Sequence, residues 1–206
     1  AAGVARVGYA PTDPHALAAG GADRLRSAGI DVEDGLLAQE AASLNEAWTY
    51  AVTTGRPFVT WKVASTLDGR VAAADGTSRW ITGDAARAEV HLWRRRGDAI
   101  SVGTGTVLVD DPHLTARDEH GDLADRQPLR VVVGLSDIPA GAHVLDASAP
   151  SLHLRTRDPA EVLATLAQLE VRHLLLEGGP RLGAAFLAAG QVDEVVWYVA
   201  PMLLGA

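Results

Sequence analysis

Four segments of this sequence combine residue types that could bind or transform a small molecule. The first runs from Lys62 to Arg70 (KVASTLDGR), and SRWIT follows it at residues 78–82. A strand that ends in a Ser/Thr/Asp/Gly turn places polar groups beyond its carboxyl end, where open α/β sheets bind ligands. The alternative is a plain β-turn with Asp68-Gly69 at its corner, and composition alone favours that alternative.

The second segment is the arginine run Arg94-Arg95-Arg96 near the end of a predicted helix. Arginine offers planar, bidentate hydrogen bonding that suits a phosphate group. Cations at a helix C-terminus also complement the helix dipole, so we expect two of the three to be solvated. Position alone does not decide which one would bind a ligand.

The third segment begins at Gly103-Thr104-Gly105-Thr106 and continues through Asp110-Asp111-Pro112 to Leu114 and Arg117. Small residues directly after a buried strand let the backbone approach a ligand closely. The glycine spacing is not that of a G-x-G-x-x-G motif. Two adjacent carboxyl groups could serve as a general acid, because like charges raise one pKa; the alternative is a helix stop before proline.

The fourth segment, Glu177-Gly178-Gly179-Pro180, follows an apolar strand. Glycines between a strand and a helix can expose N–H groups to a pyrophosphate, although a tight turn needs glycine as well. A carboxylate at the end of the strand would face the cleft. Taken alone, the four segments predict a cleft that binds an anionic nucleotide.

The elements that would position these segments alternate between strand and helix, which favours an α/β fold with a largely parallel sheet. Asp84 is placed to cap a helix, and Pro180 suits a first helical turn. The run Ala99–Val102 is typical of a strand buried on both faces. The predicted strands are Val4–Tyr9, Phe58–Ser65, Asp98–Gly103, Leu129–Val133, His173–Glu177 and Glu194–Ala200; the predicted helices are Leu36–Thr53, Asp84–Arg96, Asp158–Leu169 and Pro180–Ala189; loops are expected at 118–127 and 140–150.

A domain boundary is expected at Gly55-Arg56-Pro57, between an alanine-rich helical segment and the strand that opens at Phe58. The predicted domains are therefore 1–56 and 57–206. A strand begins almost at Ala1, and no closing element follows the last strand. We expect the sequence to be a piece of a longer protein.

Composition narrows the class of protein. The 206 residues carry a formal net charge of −8, which argues against nucleic-acid binding because phosphate contacts need a basic surface. The sequence contains no cysteine, no apolar run of membrane-spanning length and no secretory signal. We expect a cytoplasmic protein that binds neither nucleic acid nor membrane.

Together the motifs resemble the bifunctional pyrimidine deaminase/reductase family of riboflavin biosynthesis, in its C-terminal reductase domain. The resemblance rests on KVASTLDGR, SRWIT, VGTGTVLVDDPHLTAR, LLLEGGP and VDEVVWYVAPMLLG, which occur in the family's order across residues 57–206. Residues 1–56 resemble the end of the preceding deaminase domain, with Gly20-Gly21, Ala28–Val32 and Glu40 to Asn45.

The resemblance implies a dihydrofolate-reductase-like fold, NADPH as cofactor and a phosphoribosylated pyrimidine as substrate. It also implies a homodimer, which in the family commonly forms through the sheet edge at Glu194–Ala200. Matched by position, the residues that would bind the cofactor are Ala64, Trp80, Thr82, Thr106, Asp110, Gly179, Pro180, Arg181, Leu182, Gly183, Ala184 and Ala185. The residues that would contact the substrate are Ser78, Arg94, Leu114, Arg117 and Glu177.

The sequence departs from the family at two places. Where the family often has a serine that helps to hold NADPH, Gly134-Leu135 intervene here before Ser136, which we carry over as a cofactor contact. The family's deaminase holds zinc through His and Cys ligands and uses the glutamate of an H-x-E motif. Neither cysteine nor H-x-E occurs here, so we expect no metal and no deamination from these residues, with zinc confined to a region upstream of Ala1.

The resemblance further implies hydride transfer from NADPH to C1 of the ribose of 5-amino-6-(5-phosphoribosylamino)uracil, in its ring-opened imine form. Asp110 is the candidate catalytic residue, which would handle a proton or stabilise the cationic imine. One alternative is a pterin reductase of the same fold, against which Arg94 and Arg117 argue because a pterin has no ribose phosphate. The other is a non-catalytic nucleotide-binding module, in which Asp110 would be dispensable.

Overall fold

Six parallel strands form the central sheet of the larger of two units in this chain. The computed structural model describes residues 3–15, 18–72 and 83–205, and the chain divides into the units Ala1–Arg56 and Pro57–Ala206. The sheet has the order β6-β5-β4-β7-β3-β8. Its strands are β3 (Phe58–Thr66), β4 (Ala99–Gly103), β5 (Leu129–Val133), β6 (Ser151–Leu154), β7 (His173–Leu176) and β8 (Glu194–Ala200).

Among the described residues, four helices cover this sheet. Each follows a strand or leads into one, as expected for parallel strands that need crossover connections. They are α4 (Asp84–Arg96), α5 (Thr104–Asp110), α6 (Pro159–Gln168) and α7 (Pro180–Ala188), and a short 3-10 helix lies at His143–Leu145.

The central strands β4, β5 and β7 are buried on both faces, so they read as continuous apolar runs. Leu174 and Leu176 of β7 pack with Val162 and Leu166 of α6 and Phe186 of α7. Leu175 belongs to a second cluster on the other face, with Val107 of α5 and Val144 of the 3-10 helix. Residues 99–102 are all at most 1% exposed, which confirms the predicted two-sided burial.

In residues 3–15 and 18–56, the smaller unit contains a two-stranded parallel sheet and three short helices. Arg6 pairs with Asp31 and Gly8 with Glu33 in the register of its strands. The elements are β1 (Arg6–Gly8), α1 (Gly21–Ser27), β2 (Asp31–Glu33), α2 (Ala38–Leu44) and α3 (Glu46–Thr54).

Several predicted boundaries were wrong. The helix predicted over Leu36–Thr53 is two helices that meet at Asn45, whose φ of −119° is not helical. The strand predicted over Val4–Tyr9 is shorter, and α1, β2, α5 and β6 were not predicted. Asp84 does not cap α4: Gly83 occupies that position, and the Asp84 carboxylate pairs with Arg87 instead. Pro180 does open α7, as predicted.

Candidate active site at the carboxyl edge of the sheet

A cavity of about 650 Å³ lies at the carboxyl ends of the neighbouring strands β4, β5, β6 and β7. Four short segments line it: 103–106, 133–136, 156–157 and the start of α7 at 179–182, with Ala185 one turn further. This is the edge at which parallel α/β sheets bind ligands, because the strand-to-helix loops converge there. The cavity brings together the predicted cofactor residues Thr106, Ser136, Gly179, Pro180, Arg181, Leu182 and Ala185.

Glycines give part of this cavity a wall of bare backbone. A side chain at Gly105 would meet nothing within 4 Å, and one at Gly179 would have its nearest neighbour, Thr106 Oγ1, at 3.9 Å. Gly134 adopts φ +141°, and a Cβ there would stand 2.5 Å from Thr104 Oγ1. Side chains at these positions would occupy the cavity or collide with its wall, so the glycines keep it open.

The glycines around the start of α7 differ in what surrounds them. A Cβ at Gly178 would lie 2.7 Å from Leu182 Cδ2, and one at Gly183 would lie 2.3 Å from the Trp61 ring. These two glycines are therefore needed for packing of helix on sheet. Gly179 instead borders the cavity, and its N–H as a pyrophosphate contact stays a prediction.

A buried ion pair adjoins the end of β7. Arg94 of α4 donates from Nε to Glu177 Oε1 at 2.7 Å and from Nη2 to Glu177 Oε2 at 2.9 Å. Their side chains are only 15% and 9% exposed. Arg95 and Arg96 are exposed, as predicted for two of the three arginines. The bidentate geometry fixes the two groups to each other. Neither of them lines the cavity described above, although Glu177 directly follows β7.

The pair also sets the charge of this region. Burial by itself would raise the pKa of Glu177, but the charge and hydrogen bonds of Arg94, with a further effect of Lys62, lower it below its ordinary value. Burial likewise opposes the charge on Arg94, and Glu177 outweighs it, so the pKa of Arg94 is raised. Both groups remain ionised at neutral pH.

The segment after α5 is tied to the same arginine. Arg94 Nη1 donates to the carbonyl of Thr115 at 3.0 Å. Leu114, next to it, has φ +53° and a side chain buried in the core, so any contact with a ligand would come from its backbone. Arg117 is half-buried and donates from Nη1 to the carbonyl of Gly121 at 2.6 Å. The segment thus brings Arg117 into the neighbourhood of Arg94.

Asp110 and Asp111 end α5, as the helix-stop interpretation predicts, with Asp111 at φ +42°. The Asp111 carboxylate accepts from the backbone N–H of His143 at 2.8 Å and lies 3.0 Å from its Nδ1. The Asp111 carboxylate therefore ties the C-terminal end of α5 to His143. Asp110 is half-buried at the helix terminus and does not line the cavity described above.

Arg130 of β5 links the segments around His113, His143 and Asp146 to the sheet. Its side chain is fully buried and donates to the carbonyls of His113, His143 and Asp146 and to the Asp146 carboxylate at 2.9 Å. The rings of His113 and His143 stack with centroids 4.1 Å apart. The loop that carries Asp111 is thereby fixed to the sheet.

The sequence analysis gave no role to three polar residues near the candidate site, although Lys62 opens one of its motifs. Lys62 on β3 lowers the pKa of Glu177 by its charge. His91 lies one turn before Arg94 on α4, and burial, then the charge of Arg94, lowers its pKa. The spacing i, i+3 with Arg94 would have indicated His91. Arg157 lines the cavity and had no motif to reveal it.

Ser78, Trp80 and Thr82 are outside the described residues. Ala64 is on β3, opposite Tyr198 of β8, and Ala184 is exposed on α7; neither lines the cavity. Within residues 3–15, 18–72 and 83–205, no group of three or more His, Asp or Glu side chains is placed to hold a metal ion, and no helix is long and apolar enough to span a membrane.

Comparison with known proteins agrees with the motifs. Residues 57–206 match the profile of a family described as the RibD C-terminal domain. The chain belongs to this family. The riboflavin biosynthesis protein RibD of Mycobacterium tuberculosis is 53% identical over 206 residues, which cover 98% of this chain and 60% of that protein.

Solved structures of RibD proteins share the fold. A Thermotoga maritima protein described as a diaminohydroxyphosphoribosylaminopyrimidine deaminase/5-amino-6-(5-phosphoribosylamino)uracil reductase superposes with a TM-score of 0.90 at 32% identity, covering 99% of this chain and 62% of that one. Acinetobacter baumannii RibD gives 0.89 at 38% identity, covering 98% and 63%. The predicted RibD family and the dihydrofolate-reductase-like, mostly parallel sheet are confirmed. The chain spans about 60% of the length of the RibD proteins it matches.

Proposed function

We propose that this RibD chain reduces the ribose carbon of 5-amino-6-(5-phosphoribosylamino)uracil, with NADPH as the hydride source, in riboflavin biosynthesis. One observation carries the proposal: a glycine-walled cavity of about 650 Å³ opens at the strand ends where the buried Arg94–Glu177 pair lies. The similarity to the T. maritima protein, described as a reductase of this uracil, supports it.

The residues present fit a dinucleotide. The cavity volume falls within the roughly 300–1,000 Å³ usual for such sites. The backbone at Gly105 and Gly179, with α7 starting next to it, offers N–H groups and a helix dipole to a pyrophosphate. When bound, NADPH would supply the hydride; the cavity residues would hold its phosphates, and Ala64 is proposed as a further contact.

The substrate phosphate would bind to the arginines. A guanidinium carries five N–H donors, and Arg94 commits three of them to Glu177 and Thr115. Two donors remain for a phosphate while Glu177 keeps the group in place. Arg117 donates once, to Gly121, and can add further hydrogen bonds.

The reaction needs one proton for each hydride. Hydride addition to C1 of the ring-opened imine converts the C=N bond into a C–N single bond, and the nitrogen takes a proton. Asp110, at the end of α5, is proposed to give that proton or to stabilise the cationic imine. Glu177, held ionised by Arg94, would accept hydrogen bonds from the pyrimidine or ribose.

The test follows the loss of NADPH absorbance after addition of the substrate. We expect Arg94→Ala and Arg117→Ala to lower kcat/KM by roughly 30-fold or more, since each removes charge-assisted hydrogen bonds. Arg95→Ala, on the same helix but exposed, is the matched control and should retain activity. If NADPH binds but is consumed only with a dihydropterin, the pterin reductase is the correct alternative.

The role of Asp110 has its own control. Asp110→Asn should lower turnover by about 100-fold or more if the carboxyl handles a proton. Asp111→Asn, which removes a carboxylate bound to His143, should lower thermal stability while retaining most of the turnover. Normal turnover of Asp110→Asn across the pH range would remove Asp110 from the mechanism.

Residues 1–56 are proposed to be the end of a zinc-dependent deaminase domain, with Arg56 and Pro57 at the junction. The M. tuberculosis RibD match extends over 98% of this chain, and the T. maritima protein whose description includes a deaminase matches 99% of it. We further propose a homodimer through β8, whose alternate residues Val195, Trp197 and Val199 are exposed and apolar.

A further inference from the structure

The outer end of the cavity, at the carboxyl ends of β5 and β6, contains Arg157, to which the proposed reaction assigns no role. We propose that this end, formed by residues 134–137 and 155–157 and called here the outer wall, binds a phosphate on the adenosine 2′-position of the dinucleotide. Arg157 would decide the preference for NADPH over NADH. The inference rests on the proposed function, because it requires a dinucleotide in the cavity.

Hydrogen bonds build the outer wall firmly. Arg155 donates from Nη1 to the carbonyl of Leu135 at 3.2 Å and pairs through Nη2 with Asp137. The Gly134 N–H donates to the carbonyl of Leu154 at 3.0 Å, and the Gly134 carbonyl lies 3.0 Å from His153 Nε2. The two loops that follow β5 and β6 therefore form one unit.

Most polar groups of the outer wall already have partners. Thr156 Oγ1 donates to Glu161 Oε2 at 2.5 Å and accepts from the Asp158 N–H at 3.1 Å. Arg155 neutralises Asp137. Within the described residues, the Arg157 guanidinium has neither an ion pair nor a hydrogen bond, and it lines the cavity together with Ser136.

The charge of the cavity selects the ligand. Two arginines, Arg157 and Arg181, line it, and none of its lining residues within the described chain is a carboxylate. This is a cationic cavity in a chain with a net charge of −8. A free ribose 2′-hydroxyl is typically bound by a carboxylate acceptor, whereas arginine accommodates a 2′-phosphate. The lining therefore suits the phosphorylated cofactor.

The order of the strands assigns the two arginines to different parts of the cofactor. Arg181 stands in the first turn of α7, after β7, where a pyrophosphate would lie. Arg157 follows β6, which is separated from β7 by β4 and β5, or roughly 14 Å at about 4.8 Å per strand. A dinucleotide with its nicotinamide toward Glu177 would extend its adenosine toward Arg157.

Calorimetric titration with adenosine 2′,5′-bisphosphate and adenosine 5′-monophosphate tests this assignment without turnover. We expect the chain to bind the bisphosphate at least about tenfold more tightly than the monophosphate. Arg157→Ala should remove most of that preference and leave binding of the monophosphate nearly unchanged, and Arg157→Lys should restore part of it. Arg181→Ala, the matched control, should weaken both ligands by a similar factor.

The outcomes separate the two proposals. If Arg157→Ala weakens both nucleotides equally, or neither, Arg157 does not recognise the 2′-phosphate, although the cavity still binds a dinucleotide. Equal affinity of the unmodified chain for both nucleotides would overturn the inference in the same way. Failure of the unmodified chain to bind either nucleotide or NADPH would overturn the proposed function and the inference together.

Discussion

The buried pair of Arg94 and Glu177 shows how single residues make this site. A carboxylate and a guanidinium 83 positions apart in sequence meet through two hydrogen bonds of 2.7 and 2.9 Å. The sequence analysis predicted both as substrate contacts, but it treated them as separate groups. Their pairing means that each is oriented by the other before any substrate arrives.

Removal of one partner should therefore cost stability. Glu177→Gln leaves Arg94 as a buried charge without a counterion, and we expect the free energy of unfolding at pH 7 to fall by about 3 kcal/mol. Urea unfolding measures this value. Glu119→Gln, at an exposed loop residue, is the control and should change it little.

The stability lost in Glu177→Gln depends on pH, in a direction set by the pKa of Glu177. The pKa of Glu177 is below its ordinary value of 4.5 in the folded chain. A carboxylate with a lowered folded pKa adds stability above its unfolded pKa and loses it as the pH falls through the folded pKa. The stability difference between the unmodified chain and Glu177→Gln should be complete at neutral pH and shrink as the pH falls below 4.5. A difference that stays constant during acidification would contradict this account.

At the scale of the elements, the turn after β5 depends on one glycine. Gly134 has φ +141°, and a Cβ there would lie 2.5 Å from Thr104 Oγ1 and 3.0 Å from Thr104 Cγ2. We expect Gly134→Ala to destabilise the chain by about 2 kcal/mol, because backbone strain adds to the clash. Gly141→Ala, where a Cβ meets nothing within 4 Å, should cost about 0.5 kcal/mol or less. Equal melting temperatures of the two variants would show that the turn relaxes without penalty.

Predictability from sequence varied with the kind of element. The strands β3, β4, β5 and β7 were predicted because burial on both faces makes them largely apolar, whereas β8 was predicted from its apolar residues although alternate ones are exposed. The helix α5 was missed because its first residues, Thr104-Gly105-Thr106, have low helix propensity, and it is packing of Val107 that stabilises it. The strand β6 was missed because Ser151–Leu154 is short and incompletely buried at the sheet edge.

The motifs of the candidate site were predicted from the sequence, but the contacts that join them in the fold were not. Glycines after β4 and β7 indicated the cavity, because backbone exposed at a strand end is visible in sequence. Arg157 stood in no motif, since it acquires its position only when β6 joins the sheet beside β5. The hydrogen bonds from Arg130 to the loop that carries Asp111 were not predicted either, because a sequence does not distinguish a buried arginine from an exposed one.

At the scale of the whole molecule, the edge strand β8 presents the most exposed apolar surface of the sheet. It pairs with β3 on one side, and within the described residues no strand pairs with its other side. Val195, Trp197 and Val199 alternate along it and are 46%, 60% and 52% exposed. Met202 and Leu203, which follow β8 in the sequence, are exposed as well. Contiguous exposed apolar surface of this kind typically marks an interface.

We therefore expect the chain to dimerise through β8. Light scattering coupled to gel filtration should give a mass twice that of the chain, and Val195→Glu and Val199→Glu should each shift it toward the monomer, because a charge would be buried against the partner's apolar strand. Trp197 is less suitable for substitution, since its Nε1 donates to Ser65 Oγ at 2.9 Å and its loss would also disturb β3. Leu169→Glu, at an exposed leucine that ends α6, is the control for added charge. A dimer that persists in both valine variants would place the interface elsewhere, and a monomeric unmodified chain would leave β8 without this role.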